Sequence, residues 1–131
     1  MSIVNVGTSA RKTVLITDET IRMFSSVSGD INPIHLDEEY AKLTKFKRRI
    51  APGLQVASYI SALIANELPG PGSIYMEQSL KFLRPVYIDD VVEVKITVIE
   101  VFNVNKVRLK TEVFNADNQL VLEGEALVKA P

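Results

Sequence analysis

Two hydrophobic periods divide this chain near Gly72. Ahead of that point, after a short predicted strand around Thr13 to Thr17, apolar residues recur at helical spacing. Ile21, Phe24 and Val27 mark the inward face of a first helix. Thr17 or Asp18 can accept from the free amides at its start, and Gly29 can end it. Asp37 can cap a further short stretch, Glu38 to Leu43. Pro52-Gly53 then opens a longer helix, Leu54 to Leu68, which Pro69-Gly70-Pro71-Gly72 terminates. Leu54, Val56, Ala57, Tyr59, Ile60, Leu63 and Ile64 cover most of its circumference, so it is predicted to be a core helix. It is too short to span a membrane, which takes about 20 apolar residues.

Beyond Gly72 the period becomes two. Ile74, Met76, Leu80 and Phe82 share one face of a predicted strand. Val92, Val94, Ile96 and Val98 share a face of a second, and Val107, Leu109, Thr111 and Val113 of a third. Leu120, Leu122 and Val128 mark a fourth. Asn103 to Asn105 and Ala116 to Gln119 fit hairpin turns, so these strands pair antiparallel, and Pro85 places a bend or edge after Phe82. A sheet with one apolar face needs a cover, and the Leu54 helix is the only element apolar enough to supply it. The predicted class is α+β, a curved antiparallel sheet wrapped around a central buried helix. At 131 residues the chain reads as one domain, 1–131.

Composition narrows the chemistry. Hydrophobic residues make up 47% and charged residues 24%, and the net charge is −1. That balance gives no field for nucleic acid or an anionic membrane, so neither is expected as a partner. The absence of cysteine removes disulfides, thiolate nucleophiles and Cys-ligated metals. With a single histidine, a zinc site would need mostly carboxylates, so no metal and no cofactor are expected. Met1 to Arg11 lacks the apolar core of a signal peptide, and the expected location is cytoplasmic.

The lone histidine lies in Gly29-Asp30-Ile31-Asn32-Pro33-Ile34-His35-Leu36-Asp37. Pro33 lacks an N–H and biases Asn32 toward extended geometry, so the segment is predicted to be a bent loop rather than regular helix. A carboxylate (Asp30) and an imidazole (His35) converging on one point suit a reaction that takes one proton and gives another. The same residues suit structure alone, with Asp30 closing an Asx-turn and His35 a satisfied core group. The loop by itself leaves both open.

In this motif, in Gly70-Pro71-Gly72-Ser73-Ile74-Tyr75, and in Gln78-Ser79-Leu80-Lys81-Phe82 followed by Arg84-Pro85-Val86, the chain resembles the MaoC-like, (R)-specific enoyl-CoA hydratases of hot-dog fold. The resemblance runs from about Phe24 to Val101, with the last two strands matching in pattern only. It implies reversible addition of water to a trans-2-enoyl thioester, giving the (R)-3-hydroxyacyl thioester. Asp30 would activate the water and His35 would hold it and protonate the α-carbon. The Gly53 amide would donate to the thioester oxygen, a position where the first helical N–H groups lack partners. Such hydratases often carry a histidine immediately before that glycine, where this chain has Pro52.

Asn32, Ser61 and Gln78 are the candidate substrate-binding residues. Ser61 equally fits a hydroxyl bonded back to helix carbonyls, and Gln78 a satisfied core amide. The run Lys45, Lys47, Arg48, Arg49 could meet the phosphates of coenzyme A, but such charge runs are more often solvated surface, and it is not counted among the site residues. The implied partner is an acyl-CoA thioester, or acyl carrier protein, bound to a homodimer or higher homo-oligomer, since an open sheet edge invites closed symmetric pairing. Bulky Tyr59, Ile60, Leu63 and Ile64 beside the acyl tunnel would restrict the tail to roughly four to six carbons. Two other functions fit the fold: an acyl-CoA thioesterase, against which the absence of an acid between Gly53 and Asn66 weighs, and a non-catalytic acyl-thioester-binding protein.

Overall fold

The computed structural model describes residues 4–131. Strand β1 (Ser9–Leu15) leads into helix α1 (Asp18–Ser28), two short helices α2 (Pro33–Leu36) and α3 (Glu38–Lys42), and the long helix α4 (Gly53–Asn66). Strands β2 (Ile74–Gln78), β3 (Lys81–Phe82), β4 (Val91–Phe102), β5 (Lys106–Phe114) and β6 (Leu120–Lys129) follow. Every pairing is antiparallel, in the order β1-β4-β5-β6-β2, with β3 also on β6. This is the α+β hot-dog arrangement, with α4 packed on β4 and β1.

The long strands follow their alternation. Val92, Val94, Ile96 and Val98 of β4 and Val107, Leu109, Thr111 and Val113 of β5 all point into the core, joined by Leu122, Ala126 and Val128 of β6. Ile60, Leu63 and Ile64 press the buried face of α4 onto them. The caps also fall where the sequence puts them. Thr17 and Thr20 form a reciprocal capping box at the start of α1, Gly29 ends it with φ 80°, and Asp37 caps α3 by accepting from Glu39 and Tyr40 N–H.

Several expectations need correcting. The first strand begins at Ser9 and stops at Leu15 rather than covering Thr13 to Thr17. Its outer half is an edge with few apolar residues, so the alternation is invisible in sequence. Val27 is in phase for the core but lies exposed, and Ile21 and Ser25 make the buried face of α1. The predicted Ile74–Phe82 strand is two pieces, and Ile74, Met76 and Phe82 are 59%, 46% and 54% exposed, a sheet edge rather than a core face. Helix α4 is not buried all round: Leu54, Ser58, Ser61 and Ala65 form an exposed stripe. No helix among the described residues is long and apolar enough to cross a membrane.

Candidate active site

The Asp30 loop is built by short-range hydrogen bonds. Ser28 Oγ donates to the Phe24 carbonyl (2.8 Å) and accepts the Asp30 N–H (3.1 Å). Asp30 Oδ1 accepts the Asn32 N–H at 3.1 Å, closing an Asx-turn. Asn32 Oδ1 in turn accepts the Ile34 N–H at 3.3 Å and caps α2. Pro33 therefore starts a helix instead of preventing one, because at the first helical position its missing N–H costs nothing. That single turn of helix delivers His35 to the loop's inner side, where it is buried.

The turn occupies only one of the two Asp30 oxygens. While Oδ1 closes the turn, Oδ2 lies 3.8 Å from His35 Nε2. On the far side of the ring, Nδ1 is 2.7 Å from the Ile50 carbonyl oxygen. A carbonyl only accepts, so Nδ1 carries the proton and Nε2 presents a lone pair toward Asp30.

Helix α4 starts at the same place. Its N-cap is Pro52, which offers no side-chain acceptor and no N–H. Gln55 and Val56 N–H donate to the Pro52 carbonyl (3.1 and 3.3 Å), and those of Gly53 and Leu54 have no acceptor among the described residues. Two helix-terminal donors are thus left without partners where the dipole favours negative charge.

Asp30, His35 and Gly53 line one cleft of about 750 Å³, within the roughly 300–1,000 Å³ common for small-molecule sites. Phe24, Leu54, Phe82 and Leu122 give it apolar walls, with Lys45 and Arg84 also lining it. Arg84 is held there by donating to the Leu120 carbonyl at 2.7 Å.

The other candidates lie elsewhere. Asn32 is occupied as the α2 cap, and Ser61 sits on the exposed stripe of α4, two turns beyond Gly53. Gln78 is a satisfied amide: it donates to Thr111 Oγ1 (2.9 Å) and the Ser79 carbonyl (2.8 Å), and accepts from the Tyr75 hydroxyl. Neither Ser61 nor Gln78 borders the cleft in the single chain. Tyr59, Ile60, Leu63 and Ile64 do not border it either, so the chain-length expectation drawn from them loses its basis. Leu54 and Val56 are the side chains of α4 that the cleft meets. Sequence reasoning missed Phe82 and Arg84 as walls. Their place depends on β3 pairing with β6 through Phe82 and Leu122, and only the Pro85 bend hinted at it.

Comparison with known proteins places the chain in a family. The MaoC like domain family matches residues 4–121. A 3-hydroxybutyryl-CoA dehydratase of Methylorubrum extorquens is 43% identical over 88% of this chain and 74% of its own length. An (R)-specific enoyl-CoA hydratase of Rhodospirillum rubrum is 42% identical over 95% of this chain and 87% of its own. Among solved structures, the unliganded R-hydratase from Pseudomonas aeruginosa superposes with a TM-score of 0.95 at 46% identity, covering 98% of this chain and 83% of that one. The family match spans most of the chain and the relatives align along nearly all of it; the chain belongs to the MaoC-like domain family.

Proposed function

We propose that this protein is an enoyl-CoA hydratase, adding water reversibly to a trans-2-enoyl thioester to give the (R)-3-hydroxyacyl thioester. The observation that carries the reading is the placement of Asp30 Oδ2, His35 Nε2 and the open Gly53 amide around one cleft. Asp30 Oδ2 and His35 Nε2 are both acceptors, so a water donating one hydrogen to each fits between them. Its oxygen lone pairs are then free to attack C3.

As the C3–O bond forms, a proton leaves the water and the C2–C3 π electrons move toward the thioester oxygen. The Gly53 N–H donates to that oxygen, a contribution of about 2.7–4 kcal/mol in comparable sites. Because His35 meets the water as an acceptor, the proton it delivers to C2 is one taken from that water. Hydroxyl ends on C3, hydrogen on C2, and the enzyme returns to its starting state. Proton transfer by such a pair is worth about 10²–10⁴-fold.

The acyl carrier in this reading is coenzyme A or acyl carrier protein. Apolar surface at Leu54, Ile74, Met76, Phe82 and Leu83 supports a homodimer or higher homo-oligomer that covers this edge. A cytoplasmic location is part of the proposal and accords with the cysteine-free composition.

Incubation with crotonyl-CoA, following enoyl absorbance and free thiol together, tests it. Hydration removes absorbance and releases no thiol. Thiol release would instead identify a thioesterase, and silence in both signals a binding protein.

A further inference from the structure

Arg49, placed by sequence in a solvated basic run, is only 4% exposed. Its Nε donates to the His35 carbonyl oxygen at 2.7 Å and its Nη2 to Asp18 Oδ1 at 2.7 Å, while Nη1 lies 3.6 Å from Glu38 Oε1. One guanidinium therefore joins the first turn of α1, the last residues of α2 and the first turn of α3. The backbone from which it projects is itself fixed. The Arg49 carbonyl accepts from Ile88 N–H (3.1 Å), Ile50 N–H donates to the Ile34 carbonyl (3.2 Å), and Ala51 N–H to the Val86 carbonyl (2.7 Å). The next carbonyl along, that of Ile50, is the acceptor for the His35 ring.

His35 is thus gripped twice by two consecutive residues, through its main chain by Arg49 and through its imidazole by Ile50. We propose that Arg49 is a positioning residue that orients His35 so that its ring meets the Ile50 carbonyl, the bond that fixes its tautomer. It borders no part of the cleft, so it acts through His35 and not on substrate. A planar fork suits the task. It can hold the carbonyl and a carboxylate at once in fixed geometry, which a lysine ammonium cannot reproduce. The other bonds of this guanidinium follow from burial, since a charge taken out of water needs partners. The bond to the His35 carbonyl is the one that bears on the reaction, and this inference rests on the hydratase reading given above.

The chain has a single histidine, so two-dimensional ¹H–¹⁵N spectra of the imidazole report its tautomer without overlap. Wild type is expected to show one form with the proton on Nδ1. Arg49→Lys is expected to give a mixture of tautomers and to lower kcat about 10- to 100-fold with KM changed less than about twofold, the scale on which misplaced groups lose rate. Asp18→Asn, which leaves the bond to the His35 carbonyl in place, is expected to lower the melting temperature while keeping the wild-type ring spectrum and kcat. Should Arg49→Lys not fold, Arg49→Gln takes its place with the same expected outcome.

A folded Arg49 variant that keeps the pure Nδ1–H form and wild-type kcat would overturn the proposal. So would an Asp18→Asn spectrum as mixed as that of Arg49→Lys. The ring spectrum needs no substrate, so a protein that fails to hydrate crotonyl-CoA yet shows the expected spectra would refute the hydratase function and leave the positioning role standing.

Discussion

The ring of Phe82 fills the space where a side chain on Gly53 would begin: a Cβ built there would lie 2.8 and 2.9 Å from two ring carbons. Glycine is required at this helix start for room, not for an unusual backbone angle. Gly53→Ala keeps the N–H but forces the half-exposed Phe82 ring, which lines the same cleft, to move. The expected outcome is a folded protein with KM raised about tenfold or more, since a neighbouring flexible ring yields at little stability cost. Adding Phe82→Ala should restore KM toward that of Phe82→Ala alone. Steady-state kinetics on the three variants decides it, and a double variant as impaired as Gly53→Ala would refute the steric account.

Asp30→Asn should keep the fold, because an asparagine oxygen can still accept the Asn32 N–H that closes the turn. Its turnover should drop about 10²–10⁴-fold, the usual range for a lost acid–base group. His35→Gln should lose a similar amount, and the double variant little more, as residues acting on one water are not additive. Turnover of crotonyl-CoA in the four proteins provides the check, with circular dichroism to confirm folding.

Asp18 makes the protein sensitive to acid. The Arg49 hydrogen bond, with help from Arg22 and against some desolvation, holds its carboxyl below the ordinary value of 3.8. A native pKa below the unfolded one means stability that is complete above the unfolded value and fades as pH falls through the native one. Asp18→Asn should therefore flatten the decline in urea midpoint between about pH 5 and pH 2. An unaltered slope would show that other carboxylates govern acid unfolding.

Tyr75 gives an alkaline counterpart. Burial pushes its hydroxyl from 10.0 up to about 12. The native state keeps this proton after the unfolded chain has released it, so the stability it lends is whole below pH 10.0 and disappears as pH climbs to about 12. Among the four tyrosines, one should ionise last in a spectrophotometric titration, and Tyr75→Phe should remove that step. A late step that survives the substitution would belong to another residue.

The sequence revealed most where the signal was local. Thr17, Gly29 and Asp37 mark helix ends by their own chemistry, and the valines of β4 declare their face by alternation alone. Asp30 and His35 stand out as candidates because they lie five residues apart in one motif. What escaped detection depends on distant partners. Arg49 looks like surface among lysines until Asp18 and the His35 carbonyl, 31 and 14 residues away, close over it. Phe82 reads as a core position because alternation cannot tell an edge strand from a central one. Pro33 misled in the opposite direction, since proline both breaks helices and begins them.

Helix α4 begins with a proline whose carbonyl accepts from Gln55 and Val56 but which has no side-chain acceptor for the Gly53 and Leu54 amides, so its first turn is left without a side-chain cap. In the mechanism proposed above, the thioester oxygen would supply what a serine or aspartate does at an ordinary helix start, and the substrate would be the missing cap. On that mechanism catalysis and folding would share one bond: as charge builds on that oxygen, the first turn of α4 would gain its strongest partner, and the helix would be most complete at the moment the reaction is hardest.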